Sequence, residues 1–565
     1  MDPNLQIKSN VGCKDLLLKK LSYAVISTVC TQILLLITVI VFSNWSLLNP
    51  TQWPMELFTT LRSFWTWFYL LPYLGLIFIQ SLICAKDYVM KKNCSSTRIG
   101  DFLSMFTIHK GILLTLNVLG GGFFFWVYLQ LIKSNLSEDD QKGSEVDENY
   151  FFMVMFGVWI GIWNFFLFYG NKNQIIFPVV QQRKWIIFLS KLTFNLKASL
   201  KDVFVPIFLY GIIYLFYGKE VQEYFLMNPD TTSSFNKKTI IYTIFLGALY
   251  ILNTRLMRFF FEVFLTEHYQ FLIHSGSEFS LNNYKDFTLK DGILTDSIPI
   301  VQHLACLDLF LLSNSPLKYR RESLYTLSQP GNHPHTWNSL IEAILNLLNE
   351  YTKNLNVAIA NLLGNERKKL DEEVFNRNEK HFNYGNIRNM TLKCYEDPIE
   401  FVTINKRKVE FDENTKNLYG NIREKINVFI GTVKKRSGFE YLFEKLPESS
   451  VQYLLFNGQV IIWTVQGLAS LIVASLTEDK FGVMQKDLPI ILATLVELKT
   501  ILEKLNRISI KKYDKLDDFS NKMRVNINSA IKRSLYQISN TFSPYINDLA
   551  LNNDVLHVLN VYNHN

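Results

Sequence analysis

Long apolar runs dominate the first half of the chain and give way to a more polar second half. Between Leu21 and Phe264, five runs carry no charge in their cores, and a sixth ends in Arg255 and Arg258. A helix needs about 20 apolar residues to cross the hydrocarbon layer of a bilayer. We therefore predict a six-helix polytopic transmembrane domain over residues 1–265, with spans at about 21–42, 64–84, 112–132, 151–169, 198–217 and 239–261.

The second half, residues 266–565, alternates helical patterns with polar breaks. Apolar residues recur at helical spacing over Ile298–Leu312 and Thr336–Leu363. Residues 365–415 are strongly polar and rich in Asn, which predicts a flexible stretch. The predicted fold class is all-α, with the transmembrane domain followed by a cytosol-facing α-helical domain.

One segment of the second half is itself long enough to span a membrane. Val451–Thr477 runs for 27 residues without a charge, and a seventh span here would move the rest of the chain across the bilayer. However, Gln452, Asn457 and Gln459 begin a series of polar residues that a lipid-exposed helix would bear at a cost in free energy. We predict a buried helix of the soluble domain.

The distribution of Lys and Arg predicts the orientation. Fifteen of them lie in the N-terminal tail and in the loops after the second and fourth spans, against six in the loops on the other side. Basic loops stay in the cytosol, so both termini are expected there. The net charge of +8 therefore indicates topology and lipid contact before nucleic acid.

The segment Arg183–Asp202, which precedes the fifth span, interleaves basic and apolar residues. This composition is typical of a helix lying in the membrane interface. A cytosolic extension of the fifth span explains it equally well, and both interpretations stay open. The residues that define the candidate interface helix are Arg183, Lys184, Trp185, Lys191, Lys197 and Lys201.

The predicted spans offer little chemistry for transport. Charged groups, which transporters and proton relays usually need, are absent from the cores of the first five. Asn117, Asn164 and the run Gly120–Gly122 are expected to serve helix packing and interhelical hydrogen bonds. A channel or transporter lined by these residues remains the alternative. The six cysteines lack CxxC spacing, so no zinc or redox site is predicted.

Catalytic motifs are weak. His303 and Asp308 match the H-x4-D pattern of membrane acyltransferases, which is the basis of the alternative that the chain is a polytopic membrane enzyme. On one helix, residues five apart point about 140° away from each other, so the pair is not expected to meet. His333 and His335 alone cannot complete a metal site. We predict no catalytic, cofactor-binding or metal-binding residue and no enzymatic activity.

Four stretches of the chain resemble the integral-membrane nucleoporin of the nuclear-division-cycle (Ndc) family. They are FPVVQQ from Phe177, HLACLDLFLLS from His303, YTLSQPGNHPHTW from Tyr325 and GLASLIVASLTEDKFGVMQKDLP from Gly467. The motif residues singled out are Phe177, Pro178, Gln181, Gln182, Asp308, Ser328, Gln329, Pro330, Gly331, His333, Pro334, His335, Trp337, Gly467, Glu478, Asp479, Phe481 and Gly482.

The resemblance implies a non-enzymatic membrane anchor of the nuclear pore complex. Such a protein would sit in the pore membrane of the nuclear envelope, hold the scaffold to it through a cytosol-facing C-terminal domain, and support pore assembly. The implied partners are membrane lipids, a membrane-binding scaffold nucleoporin with an RNA-recognition-like fold and the propeller protein ALADIN, with no direct contact to nucleic acid. The resemblance also places Gly467–Pro489 in the soluble domain.

Overall fold

The computed structural model places helices in both halves of the chain. A bridge between extended segments joins Leu272 and Thr288. The structure describes residues 3–43, 52–89, 97–104, 107–136, 143–170, 177, 183–224, 237–273, 287–316, 318–327, 331–381, 448–508, 515–548 and 551–563.

The first eight helices form what is called here the N-terminal bundle. The fifth predicted span and the basic segment before it fall in a single helix of 41 residues, α7. The bounds are α1 Pro3–Ser43, α2 Gln52–Arg62, α3 Phe64–Val89, α4 Arg98–Leu103, α5 Ile108–Leu136, α6 Gly143–Gly170, α7 Lys184–Tyr224 and α8 Lys237–Leu265.

The later helices form the C-terminal bundle. A 3-10 turn, Ser543–Asp548, precedes the last helix. The bounds are α9 Leu289–Leu294, α10 Pro299–Asn314, α11 Lys318–Glu322, α12 His335–His381, α13 Ser449–Phe456, α14 Gly458–Glu478, α15 Leu488–Arg507, α16 Lys515–Phe542 and α17 Asn553–Asn563.

Local sequence signals account for several helix starts. Proline opens α10 and lies in the first turn of α15, where its missing N–H would have no helical partner in any case. At α9 the Thr288 side chain accepts from the Asp291 backbone N–H, and the Asp291 carboxylate accepts from the Thr288 N–H in return.

Helix α12 departs from the prediction. It continues to His381, so the first part of the segment expected to be flexible, about 365–415, is helical instead. After Gly364 the sequence as far as His381 contains neither proline nor glycine, so nothing stops the helix. The remainder of that segment lies outside the described residues.

Seven of the described helices are long and apolar enough to cross a membrane. Six contain the predicted spans, and the seventh is α14. The most apolar window of α14 is 67% buried, the same share as that of α8, and α14 packs against α10 and α16 of the C-terminal bundle. Much of the apolar surface of α14 is therefore used in contacts within that bundle.

Glycines bring α5 and α6 into backbone contact. A Cβ added to Gly121 would lie 2.1 Å from the carbonyl oxygen of Gly157, and one added to Gly161 would lie 2.4 Å from that of Asn117. Close backbone approach replaces the hydrophobic effect as the source of helix association in lipid. Packing is thus the role of Gly121.

Buried amides link the helices of the N-terminal bundle. The Gln32 amide donates to Asn253 Oδ1 at 2.6 Å, and Asn253 donates to the Tyr73 hydroxyl at 3.2 Å. Gln80 donates to Asn117, and Asn164 pairs with Thr254. The predicted interhelical hydrogen bonds of Asn117 and Asn164 are present.

We expect Gly121→Ala to destabilise the N-terminal bundle because the new methyl group meets backbone that cannot give way. Overpacking of this kind costs about 1–3 kcal/mol, which thermal unfolding of the full chain in detergent would detect as a lower midpoint. The matched control is Gly75→Ala in α3, where an added Cβ meets nothing within 4 Å. Equal thermal unfolding midpoints for Gly121→Ala and Gly75→Ala would contradict a packing role for Gly121.

Candidate functional site: the junction between the bundles

One continuous apolar core joins the two bundles. It includes buried residues from the ends of α1, α3, α5, α6 and α8 together with the centres of α10, α12 and α14. The C-terminal bundle therefore rests on the helix ends rather than on a flexible tether. Representative members are Cys13, Ala85, Leu113, Phe165 and Phe261 on one side and Leu304, Ile344 and Leu468 on the other.

Basic side chains tie the helix ends together at this junction. The Lys20 ammonium of α1 is 7% exposed and donates to the backbone oxygens of Glu267 at 2.6 Å and Phe264 at 3.3 Å. The Lys184 ammonium, at the start of α7, lies 2.8 Å from the Glu267 carboxylate and 4.9 Å from the centre of the Phe264 ring. The Phe264 carbonyl in the last turn of α8 thereby has a hydrogen-bond partner.

A second cluster ties α3, α5 and α6. The carboxylate of Asp87 accepts from the Tyr169 hydroxyl at 2.5 Å and lies 3.0 Å from His109 Nε2. Beside it, the Arg258 guanidinium lies 3.6 Å from the centre of the Phe168 ring, and Arg255 pairs with Asp202 of α7. The two arginines at the end of the sixth predicted span are therefore engaged within the protein.

Phe177, in the chain between α6 and α7, packs on the C-terminal bundle. Its ring stacks on His303 of α10 at 5.0 Å, nearly parallel, and meets Trp463 of α14 edge-on at 5.7 Å. The His303 Nδ1 lies 2.7 Å from the Pro299 carbonyl oxygen, and burial lowers the pKa of this imidazole. The motif residues Pro178, Gln181 and Gln182 lie outside the described residues.

Asp308, fully buried in α10, organises a polar network of its own. It accepts from both terminal nitrogens of Arg320, at 2.8 and 2.6 Å, from the Phe271 backbone N–H at 3.0 Å, and lies 2.9 Å from His268 Nε2. Burial alone would raise the pKa of Asp308, but the hydrogen bonds from Arg320 and His268 outweigh it and lower the pKa. His303 has different partners, so the two motif residues form no acid–base pair.

A second buried ion pair joins α11 to α14. Arg321 donates to Glu478 at 2.7 and 3.0 Å, and both side chains are nearly inaccessible. Close by, the Tyr325 hydroxyl donates to the Leu471 carbonyl at 3.0 Å, and Trp337 Nε1 donates to Asp487 at 2.9 Å. Glu478 thus holds α11 against α14, and Trp337 ties α12 to the turn before α15.

Sequence reasoning missed Arg320, Arg321 and His268. A signal existed, because a carboxylate inside an apolar helix, such as Asp308, requires a cationic or hydrogen-bonding partner. That rule predicts that a partner exists but leaves its position in the sequence open.

The remaining motif residues shape two corners. Asp479 accepts from the backbone N–H groups of Phe481 and Met484 at 3.1 and 3.0 Å, and Gly482 adopts φ +63°, which leaves the Phe481 side chain 62% exposed. Gly331 has φ +119°, a backbone conformation that favours glycine.

The other motif positions differ in exposure and packing. The histidines His333 and His335 are exposed with ring centres 5.6 Å apart. Gly467 brings α14 against α10, where an added Cβ would lie 3.3 Å from Leu309 and Phe310. Pro334 immediately precedes α12. Ser328, Gln329 and Pro330 lie outside the described residues.

Within the residues that the structure describes, no three His, Cys, Asp or Glu side chains are grouped so that they could hold a metal ion. Long apolar helices joined by a shared core to a second helical bundle define a polytopic membrane protein. Residues 15–560 match the family model described as Nucleoporin protein Ndc1-Nup, and the chain belongs to that family.

Relatives cover almost the whole chain. Human Nucleoporin NDC1 is 24% identical over 94% of this chain and 95% of its own length. Drosophila melanogaster Nucleoporin Ndc1 is 25% identical over 96% of both chains. Family membership makes this chain a nucleoporin of the nuclear pore membrane, a structural component and not an enzyme. Neither the acyltransferase nor the channel alternative gains support from these comparisons.

We expect Asp308→Asn to lower the free energy of unfolding by about 3 kcal/mol, because the change leaves the partly buried Arg320 without its anion. In the wild type, the ionised Asp308 should contribute to the free energy of unfolding at every pH above the ordinary Asp pKa of 3.8. That contribution should be lost as the pH falls through the lower pKa that Asp308 has in the folded protein. Denaturant titration of the full chain in detergent measures both effects.

The control for this prediction is Glu497→Gln at an exposed position of α15, which should change stability by less than about 0.5 kcal/mol. Equal stability of Asp308→Asn and the wild type would show that the network around Asp308 contributes nothing to the fold.

Proposed function

We propose that this nucleoporin is an anchor that fixes soluble nucleoporins to the pore membrane through its C-terminal bundle. In this proposal residues 1–265 form a six-span transmembrane domain and residues 266–565 form the domain that faces the cytosol and the pore. The shared core is the observation that carries it, because it joins the helices that would hold the lipid to the helices that would hold the partners.

The packing of α14 supports six spans rather than seven. Its side chains meet α10 and α16, and its end is held by the Arg321–Glu478 ion pair. A helix crossing the bilayer alone, away from the other spans, would have to give up these contacts. The six-span arrangement keeps the C-terminal bundle whole and on one side.

Orientation follows from the charges at the junction. Lys20, Lys184, Lys110 and Arg258 all lie at the ends of membrane helices beside the C-terminal bundle. Since basic flanks stay in the cytosol, these charges support a bundle and two termini on the cytosolic and pore side.

The family resemblance supplies the partners of this proposal, which are the membrane-binding scaffold nucleoporin with an RNA-recognition-like fold and ALADIN. An anchor raises the local concentration of its binding surface at the membrane, so that weak contacts with each partner add up to firm attachment. Exposed apolar side chains on the C-terminal bundle, including Tyr319 at 81% and Phe481 at 62% exposure, are available for such contacts.

A protease-protection assay on sealed microsomes tests the orientation. We expect a tag after Asn565 to be digested from outside and a tag in the loop between α5 and α6 to be protected, because an even number of spans returns the chain to the cytosol. A protected C-terminal tag would mean an odd number of spans, and the proposed attachment would fail.

Vesicle flotation tests anchoring itself. Proteoliposomes that carry the full chain should co-float the purified scaffold nucleoporin, because the C-terminal bundle presents its binding surface outward. Empty vesicles and proteoliposomes shaved with external protease are the controls. Equal recovery of the scaffold nucleoporin with shaved and intact proteoliposomes would contradict a role for the bundle.

A further inference from the structure

Helix α7 is too long for a simple span. Its 41 residues extend for about 60 Å at 1.5 Å per residue, twice the roughly 30 Å of the hydrocarbon layer. The excess lies at the N-terminal end, where Lys184 contacts Glu267 at the junction. Residues 184–201 are named here the leading segment. They extend α7 on the N-terminal side of the fifth span and overlap its predicted start at about 198.

The leading segment keeps apolar side chains in the open. Trp185 is 67% exposed, Leu189 47% and Leu196 46%, and exposed apolar side chains continue into the span at Leu200 and Phe204. Phe194, 65% exposed, lies on the opposite side of the helix from Trp185. A surface that faces only water rarely carries such a contiguous patch. Continuity with the lipid-facing side of the span indicates lipid here as well.

The side chains of the leading segment fall into three strips. At about 100° per residue, Trp185, Leu189, Leu196 and Leu200 lie within about 60° of one another. The packed strip on one side of them contains Phe188, which stacks on Phe260 of α8 at 6.0 Å.

Basic residues occupy the other side of the apolar strip. Lys197 and Lys201 lie within about 40° of each other around the helix, and both side chains are exposed. Lys191, also exposed, lies farther round. Packed, apolar and basic strips in this order are the arrangement of a helix that lies at the surface of an anionic bilayer, with lysines reaching toward the lipid headgroups.

We infer that the leading segment of α7 binds the headgroup region of an anionic leaflet, with its apolar strip among the acyl chains and Lys197 and Lys201 among the phosphates. The inference rests on the proposed function only for the identity of the leaflet, which is the one on the side of the C-terminal bundle. The leading segment would then give the protein a preference for membranes that contain anionic lipids.

Lipid-borne quenching tests this directly on the full chain in vesicles. A fluorescent amino acid is placed at Leu189, or at Val357 of α12 as the matched control, whose side chain is 54% exposed. Vesicles contain phosphatidylcholine with or without phosphatidylserine and a lipid that carries a nitroxide near its headgroup. We expect at least about twofold more quenching at Leu189 than at Val357 when phosphatidylserine is present.

In the double variant Lys197→Gln/Lys201→Gln, phosphatidylserine should no longer increase quenching at Leu189 to the same extent, and most of the increase should be lost. Both lysines are exposed, so the change removes only their charge. Quenching at Leu189 no greater than at Val357 would overturn the inference and leave the apolar strip to a protein partner. Equal quenching with and without phosphatidylserine would overturn it too. Since the readout is independent of nucleoporin recruitment, failure here is distinguishable from failure of the anchor.

Discussion

The apolar core shared by the two bundles is the constraint on which the rest of this structure depends. Helix ends expose carbonyl groups that need partners, and the end of α8 lies where the chain passes from one bundle to the other. The Lys20 ammonium of α1 donates to the Phe264 carbonyl in the last turn of α8 and to the Glu267 carbonyl just beyond it. Because the polar end of α8 has these hydrogen bonds, its side chains Phe261 and Leu265 can pack into the same core as Leu304 of α10.

The two bundles are held together by different forces. Where lipid surrounds the helices, burial of apolar surface gains little, so α5 and α6 associate through glycine contacts and amides such as Asn253 bridge between helices. The C-terminal bundle instead buries leucine and isoleucine side chains, each contributing about 1.5–3 kcal/mol. Its buried ions, Asp308 and Glu478, are each matched by an arginine.

Much of this architecture could be predicted from the sequence. Apolar length is a local property, so the six predicted spans each fall in a long helix. That Val451–Thr477 belongs to the soluble domain stays a prediction. Helical periodicity also predicted that His303 and Asp308 would not meet, and they have separate partners.

The rest depends on contacts between distant residues. The pairing of Asp308 with Arg320 and His268, and of Glu478 with Arg321, is decided by how α11 and the segment after α8 fold back, which no local pattern encodes. The end of α12 was missed for a different reason, because polar composition alone does not distinguish a flexible stretch from an exposed helix. The sequence left open whether Arg183–Asp202 forms a helix in the membrane interface or extends the fifth span, and the structure contains residues 184–202 and that span in one helix.

Hydrogen exchange in lipid nanodiscs is the most direct measurement of the shared core. The variant Leu304→Ala removes a fully buried side chain from the centre of α10. If the bundles form one cooperative unit, exchange should accelerate at the junction ends of α1, α3 and α8 as well as in α14. Acceleration confined to the C-terminal bundle would show that the two bundles fold independently, and the anchor would then lack the rigid coupling described here.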